Sequence, residues 1–446
     1  MKNVNQKPED ESAASPNRTR TLVLVLLVAA AFRFGGLGYP TEEYFDEVYH
    51  AKTALQYLNG QPPTEWVHPP TAKLLISVGV WAFGYKPWAW RLVPALAGTA
   101  LAGVFLLLAR RVLPNERAAV IATTLLLSDG VFLVQSRIAM TNVFAVLFQQ
   151  LSALLLLWAA SQPRLRLGRM AAAGGALGLA LSTRWTSLWA WGFLGLVFVV
   201  LRLAKRRQRP AGPDAPRPGR LWQEGALALI TFVILPVAVY LLSYVPLMSQ
   251  SHPHGFGAWA HSVAETVRAQ RDIWSYHANL RAPHAYFSPW WTWPLLKRPT
   301  WYFWWSGPTT IRGIVALGNP AIWWASVPVS VWALATGVRQ RDPRRLFAGA
   351  GFFLLYLPWG LSPRVLNFSH YLFEAIPYAC LALGMLLDGA WDGRERLLAR
   401  AYVAVTILLF LHFLPLLTAL PLPAALWGFR FPLLGGGLWT WFPSWI

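Results

Sequence analysis

One cysteine, Cys380, in 446 residues rules out any intrachain disulfide and leaves the redox compartment unmarked. Charge is also scarce. Only 13% of residues are Asp, Glu, Lys or Arg against 55% apolar, with a mean hydropathy of +0.39, which lies outside the range of soluble globular domains. Acidic residues are the scarcer sign, 19 against 39 basic, for a net charge of +20. There is no internal repeat and no glycine-rich phosphate loop. Trp, by contrast, is plentiful at 26 residues, and indole rings collect where an apolar body and a polar N–H meet different solvents, as at a membrane interface.

The basic excess does not point to nucleic acid, because it is concentrated in alternate short loops between apolar runs. Apolar segments long enough to span, at ~20 residues per crossing, begin with Thr21 to about Leu37. They continue at 88–109, 118–135, 138–160, 170–183, 186–203, 222–247, 314–338, 346–361, 370–390 and 401–420, eleven in all. With the N-terminus inside, 24 of the 39 basic residues fall on the inner side, the positive-inside pattern. Arg33 interrupts the first run, and a side chain snorkelling to the outer interface is expected there. Residues 1–20 read as a disordered cytoplasmic tail and 204–220 as a Pro-rich basic tether on the inner face. The bundle is expected over 21–420, with outer loops at 39–87 and 249–312, and 421–446 as an outer C-terminal segment.

The first outer loop carries the densest chemistry: Tyr44-Phe45-Asp46-Glu47-Val48-Tyr49-His50, then His68-Pro69-Pro70. Adjacent acids beside hydrocarbon are costly to keep and suggest function. Helical spacing is read from Thr41 to Asn59, which puts Asp46 and His50 on one face and Glu47 about 100° away. An Asp near a helix start can equally serve as a cap. The prolines make the stretch after His68 a rigid extended corner. Residues 71–83 have one apolar face and suit a helix lying in the interface.

Arginines at the outer ends of spans are the candidate anion ligands: Arg91, Arg137 and Arg364, with His370 nearby. The second outer loop holds His277, His284 and the run Ser288-Pro289-Trp290-Trp291-Thr292-Trp293-Pro294, where aromatic faces suit either a packed cap or a saccharide. His277 and His284 are of a type that binds metal, but no carboxylate stands near them at a ligand spacing.

These motifs, in this order and over nearly the whole chain, resemble the protein O-mannosyltransferases, a family of GT-C glycosyltransferases that use polyprenyl-phosphate mannose. The resemblance implies an all-α polytopic membrane protein, a GT-C-like bundle of about eleven transmembrane helices with interfacial helices in the first outer loop. It implies inverting transfer of a sugar, mannose expected, from a polyprenyl-phosphate donor to Ser or Thr hydroxyls of a secreted or membrane protein at the plasma membrane. Asp46 and Glu47 carry over as the catalytic element and Arg91 as the family's arginine of the second span. In that reading Asp46 is the base, while Arg91, Arg137, Arg364 and His370 bind the donor phosphate. His50, His68, His284, Trp290 and Trp291 contact acceptor or sugar. No cofactor is required, a divalent metal has no supporting ligand cluster, and the partners are donor, acceptor and membrane lipids, with no nucleic acid. A lipid or cell-wall glycan acceptor is the alternative, and a flippase or transporter a third reading. The second outer loop, 249–312, leaves no room for the β-trefoil of eukaryotic members, so a prokaryotic type is expected. Asn142, in Met140-Thr141-Asn142, stands where the family commonly has an acid.

Overall fold

The structure, a computed structural model, describes residues 16–161, 167–207, 218–247, 255–431 and 435–446. Most of the expected tail (1–15) and of the basic tether (208–217) lie outside those residues. Each of the eleven apolar segments contains a helix. They are α1 (Pro16–Phe34), α4 (Pro87–Val112), α5 (Glu116–Leu127) with the short α6 (Gly130–Gln135), α7 (Asn142–Ser161), α8 (Leu167–Leu181) and α9 (Ser187–Arg207). There follow α10 (Pro218–Leu229) running through a π-turn into α11 (Leu235–Leu242), then α13 (Pro320–Gln340), α14 (Pro343–Tyr356), α15 (Ile376–Ala390) and α16 (Arg396–Thr418). Among the described residues six helical stretches are long and apolar enough to cross a bilayer, and the protein is a multi-pass membrane protein. α7 packs against α4 and α8, α1 against α4, and α5 against α15.

Several boundaries differ from the periodicity, each for a local reason. The expected span 118–135 breaks at Asp129, whose carboxylate accepts from the Phe132 amide (2.9 Å), the Asn319 amide (3.1 Å) and Trp323 Nε1 (2.7 Å). A side chain that satisfies the amides of a new helix start ends the old helix. The expected span 314–338 begins only at Pro320, capped by Asn319, because the preceding residues are a strand. Likewise 370–390 becomes helical only at Ile376, and Ser369–Glu374 forms a 3-10 turn. Arg33 does not snorkel: it is buried, donates to the Ala29 carbonyl (3.1 Å) and lies over the Phe132 ring at 4.1 Å.

The two long loops, 39–87 and 249–312, are more ordered than their spacing suggests. In the first, α2 (Glu47–Leu58) and α3 (Thr71–Phe83) pack together and α3 packs on α4. That last approach is close, since a Cβ at Gly79 would come within 2.2 Å of the Ala89 carbonyl oxygen. The second contains α12 (Gly255–Asn279), then the strands β1 (Thr300–Ser306) and β2 (Thr310–Ala316). With β3 (Leu422–Pro423) they form a three-stranded antiparallel sheet, β1-β2-β3, added to the helical bundle. The C-terminal segment is not separate. Trp445 is buried, donates to the Leu296 carbonyl (2.6 Å) and accepts at its own carbonyl from Trp301 Nε1 (2.5 Å).

Candidate active site

The helix expected from Thr41 starts instead at Glu47, because Phe45 adopts a left-handed backbone conformation, φ +52°. That conformation is disfavoured for a bulky L-residue by about 1–2 kcal/mol and ends helical continuity. It is held by packing: the Phe45 ring stacks on Tyr302 of β1 at 4.0 Å. Glu47 holds the same turn from behind. Its carboxylate takes Arg91 Nε and Nη2, each at 2.8 Å, and the Ala139 amide at 3.1 Å. Arg91 gives its remaining N–H groups to the carbonyls of Leu37 (3.2 Å), Pro40 (2.6 Å) and Glu42 (3.0 Å). All five guanidinium N–H donors are thereby engaged.

With Glu47 turned inward, Asp46 faces a chamber of about 580 Å³. Its side chain does not cap α2, and no hydrogen bond to its carboxylate is found among the described residues. Burial, reinforced by the nearby Glu65 charge, raises its pKa to about 6 against the opposing pull of Arg364 and Arg184. A carboxylate so placed is ionised at neutral pH and basic enough to accept a proton.

The chamber wall opposite is a linked set of polar groups. Glu65 pairs with buried Lys73 and accepts from the His68 amide (3.0 Å) and His68 Nδ1 (2.7 Å). Burial would raise the Glu65 pKa, but Lys73 and His68 outweigh it and hold the group well below the usual carboxylate range. His68 therefore carries its proton on Nδ1 and presents Nε2 as an acceptor. Burial lowers His68 to about 3, His50 to about 4 and His277 to about 4, the last helped by Arg364, so all three are neutral at pH 7. His277 of α12 accepts from Arg364 Nη1 at its Nδ1 (3.0 Å) and donates from Nε2 to the Val67 carbonyl (2.8 Å). His284 also lines the chamber, and burial lowers its pKa.

A second cavity of about 360 Å³, walled mainly by Trp185, Leu188, Trp189, Trp274 and Trp359, adjoins the first. Four residues line both: His68, Arg184, His277 and Arg364. The two guanidinium groups lie over the Tyr371 ring, at 4.9 Å for Arg184 and 5.8 Å for Arg364. Two arginines at the neck between a polar chamber and an apolar groove suit an anion with a polar group on one side and a hydrocarbon chain on the other.

Not every residue expected at the site is there. Arg91, expected to bind phosphate, is saturated by Glu47 and backbone carbonyls and lies outside both cavities. Arg137 is also outside, donating from Nη1 to the carbonyls of Phe32, Arg33 and Gly35 at 2.7–2.8 Å. His370 is buried against Phe368 and Phe45, and burial drives its pKa well down, so it offers no positive charge. Trp290 packs against Tyr356 (5.3 Å) and Trp291 is exposed near Lys297, and neither lines the chamber. Conversely, Arg184 and Glu65 lacked an expectation. Arg184 sits in the turn between two apolar runs, as Arg137 does, and Glu65 stands three residues before His68. Asn142 lines the chamber and accepts from Arg184 Nη1. Among the described residues no group of three or more His, Cys, Asp or Glu is arranged to hold a metal ion.

A polytopic bundle whose first long loop sets over a chamber a carboxylate with no partner among the described residues, joined through two arginines to an apolar groove, defines a membrane glycosyltransferase of GT-C architecture. Two family models match the chain. One, described as dolichyl-phosphate-mannose-protein mannosyltransferase, covers residues 23–90 and 87–248; the other, the C-terminal four-TMM region of protein-O-mannosyltransferase, covers 263–430. A polyprenol-phosphate-mannose–protein mannosyltransferase of Mycolicibacterium smegmatis is 30% identical over 94% of this chain and 91% of its own length. The protein of that name from Corynebacterium glutamicum is 29% identical over 85% and 81%. Among solved structures, the Saccharomyces cerevisiae Pmt1–Pmt2 complex bound to sugar donor has the same fold, with TM-score 0.76 at 15% identity, covering 92% of this chain and 91% of that one. ArnT from Cupriavidus metallidurans bound to undecaprenyl phosphate gives 0.53 at 19% identity, over 90% and 71%. The chain belongs to the protein O-mannosyltransferase family.

Proposed function

We propose that this enzyme moves mannose from polyprenyl-phosphate mannose to a Ser or Thr hydroxyl of an exported protein, in one inverting displacement. The observation that carries this reading is the neck of four residues shared by chamber and groove. The sugar occupies the chamber beside Asp46, the isoprenoid lies along the tryptophan-walled groove, and the phosphate sits between them at Arg184 and Arg364. The acceptor oxygen attacks the anomeric carbon as Asp46 takes its proton, and the bond from that carbon to the phosphate oxygen breaks. The departing phosphate gains negative charge, which the two guanidinium groups stabilise more in the transition state than in the ground state. Glu47 and Arg91 act on the loop's shape, not on substrate. His50, His68 and His284, neutral and facing the chamber, offer hydrogen bonds to sugar or acceptor hydroxyls. The basic bias of the inner loops supports a cytoplasmic N-terminus and an extracytoplasmic chamber at the plasma membrane.

The direct test supplies purified enzyme with a synthetic polyprenyl-phosphate mannose and a Ser/Thr peptide, and follows addition of one hexose by mass spectrometry. Transfer to a lipid or glycan acceptor with none to peptide would defeat the assignment of acceptor class.

The pH dependence follows from the same groups. A base must be unprotonated, so kcat/KM is expected to fall as pH drops through about 6, the value for Asp46. The imidazoles at about 3–4 stay neutral over that range and should add no second acid limb. A profile flat from pH 5 to 8 would contradict Asp46 as the base. The groove makes a separate prediction. Leu188→Trp, which fills it, should raise KM for a long-chain donor by roughly tenfold, the scale of losing one to two kcal/mol of apolar contact. A donor with a short chain should be little affected, and equal effects on both would place the isoprenoid elsewhere.

A further inference from the structure

Arg184 is held on several sides, and one of its partners lies beyond the chamber lining. Asn142 accepts from Nη1, the Tyr371 ring lies under the guanidinium, and Glu374 Oε1 stands 3.7 Å from Nε. Nη2 has no hydrogen-bond partner among the described residues. Glu374 is 3% exposed and closes the 3-10 turn Ser369–Glu374 immediately before α15. Its own place is tightly set: Oε1 accepts from Thr186 Oγ1 (2.6 Å) and Oε2 from Gln149 Nε2 (3.0 Å). Gln149 is in turn bonded to Ser187 Oγ at 3.0 Å, so the carboxylate ties α7, the start of α9 and the 3-10 turn to one point.

A glutamine at this position would still accept from Thr186, but its amide would meet the Gln149 donor, and a flip of Gln149 would turn a carbonyl onto Ser187 Oγ, whose hydroxyl already donates to the Ala180 carbonyl (3.0 Å). The carboxylate also faces a cation, Arg184. Buried carboxylates are costly without a cation, and Arg184 is the one ion-pair partner found for Glu374 among the described residues. We infer that Glu374 is a positioning residue for the donor: it fixes the azimuth of the Arg184 guanidinium so that Nη2 points into the neck where the lipid phosphate binds. Glu374 touches no substrate. It acts on Arg184 alone, and the inference rests on the reading of Arg184 as a phosphate ligand.

The experiment measures steady-state KM separately for donor and acceptor peptide in the full-length enzyme, with Arg184→Ala, Glu374→Gln and Glu374→Asp. Arg184→Ala should raise donor KM. Glu374→Gln should raise donor KM roughly tenfold, the size of one misdirected charge-assisted hydrogen bond, with acceptor KM unchanged. Glu374→Asp keeps the charge but withdraws it by one methylene, and about a threefold rise is expected. A role confined to packing would not separate the two substrates, nor be partly rescued by Asp. If Arg184→Ala raises donor KM while Glu374→Gln leaves it unchanged, the positioning role is overturned and the phosphate reading stands. If Arg184→Ala itself leaves donor KM unchanged, both fall. Should Glu374→Gln not accumulate as folded protein, Glu374→Asp decides alone, a donor-selective rise supporting the inference and an unchanged donor KM overturning it.

Discussion

Replacing Asp46 with Asn is expected to lower mannosyl transfer by about 10²–10⁴-fold, the usual contribution of a positioned general base. The substitution is nearly isosteric, and Asp46 neither caps α2 nor joins an ion pair among the described residues, so chamber shape and folding should survive. The deficit should fall on kcat more than on donor KM, since the neck arginines are untouched. Radiolabelled transfer from a polyprenyl-phosphate donor to a Ser/Thr peptide measures it. A variant within about threefold of wild type, at a pH where Asp46 is ionised, would move the base role to another group.

The second large effect concerns stability. Glu47→Ala removes the carboxylate from a fully buried bidentate pair and strands the Arg91 guanidinium. Breaking one side of such a pair typically costs about 3–5 kcal/mol, because the surviving charge is left without a partner. Arg91→Ala should do comparable damage from the other side by freeing Glu47 and the carbonyls of Leu37, Pro40 and Glu42. Both variants are expected to show markedly earlier thermal unfolding in detergent and to lose activity with the Phe45 turn. In the double variant the two losses should be far from additive, since the groups act as one unit. If Arg91→Ala unfolds like wild type but binds donor poorly, Arg91 contacts the donor and its assignment to the loop is wrong.

The contrast between Asp46 and Glu47 marks how far the sequence could be read. Apolar run length located the helices, because hydrocarbon thickness leaves few alternatives. The eleven segments each contain a helix, while their ends moved where one side chain intervened, as at Asp129 and Asn319. Motif order led to the outer loop and helical spacing separated the two acids. Neither could indicate that Phe45 would be left-handed, since that conformation is imposed by Tyr302, about 257 positions further along the chain. Arginines posed the harder problem. Arg91, Arg137 and Arg184 all occupy ends of apolar runs, and one-dimensional position does not distinguish a guanidinium buried away from both cavities from one at the neck between them. Only the packing of α7, α9 and the 3-10 turn does. The small sheet was likewise illegible, because strand Thr310–Ala316 is as apolar as the helix that follows it.

The junction of chamber and groove has a bearing on inhibition. Two compartments of unlike polarity meeting at a pair of cations invite bisubstrate molecules made in separately optimised halves, a hydrophilic head and a greasy tail hinged on an anionic linker. Because the halves never compete for one volume, affinity gained in either should carry over to the joined compound, and resistance would most readily arise by altering the hinge.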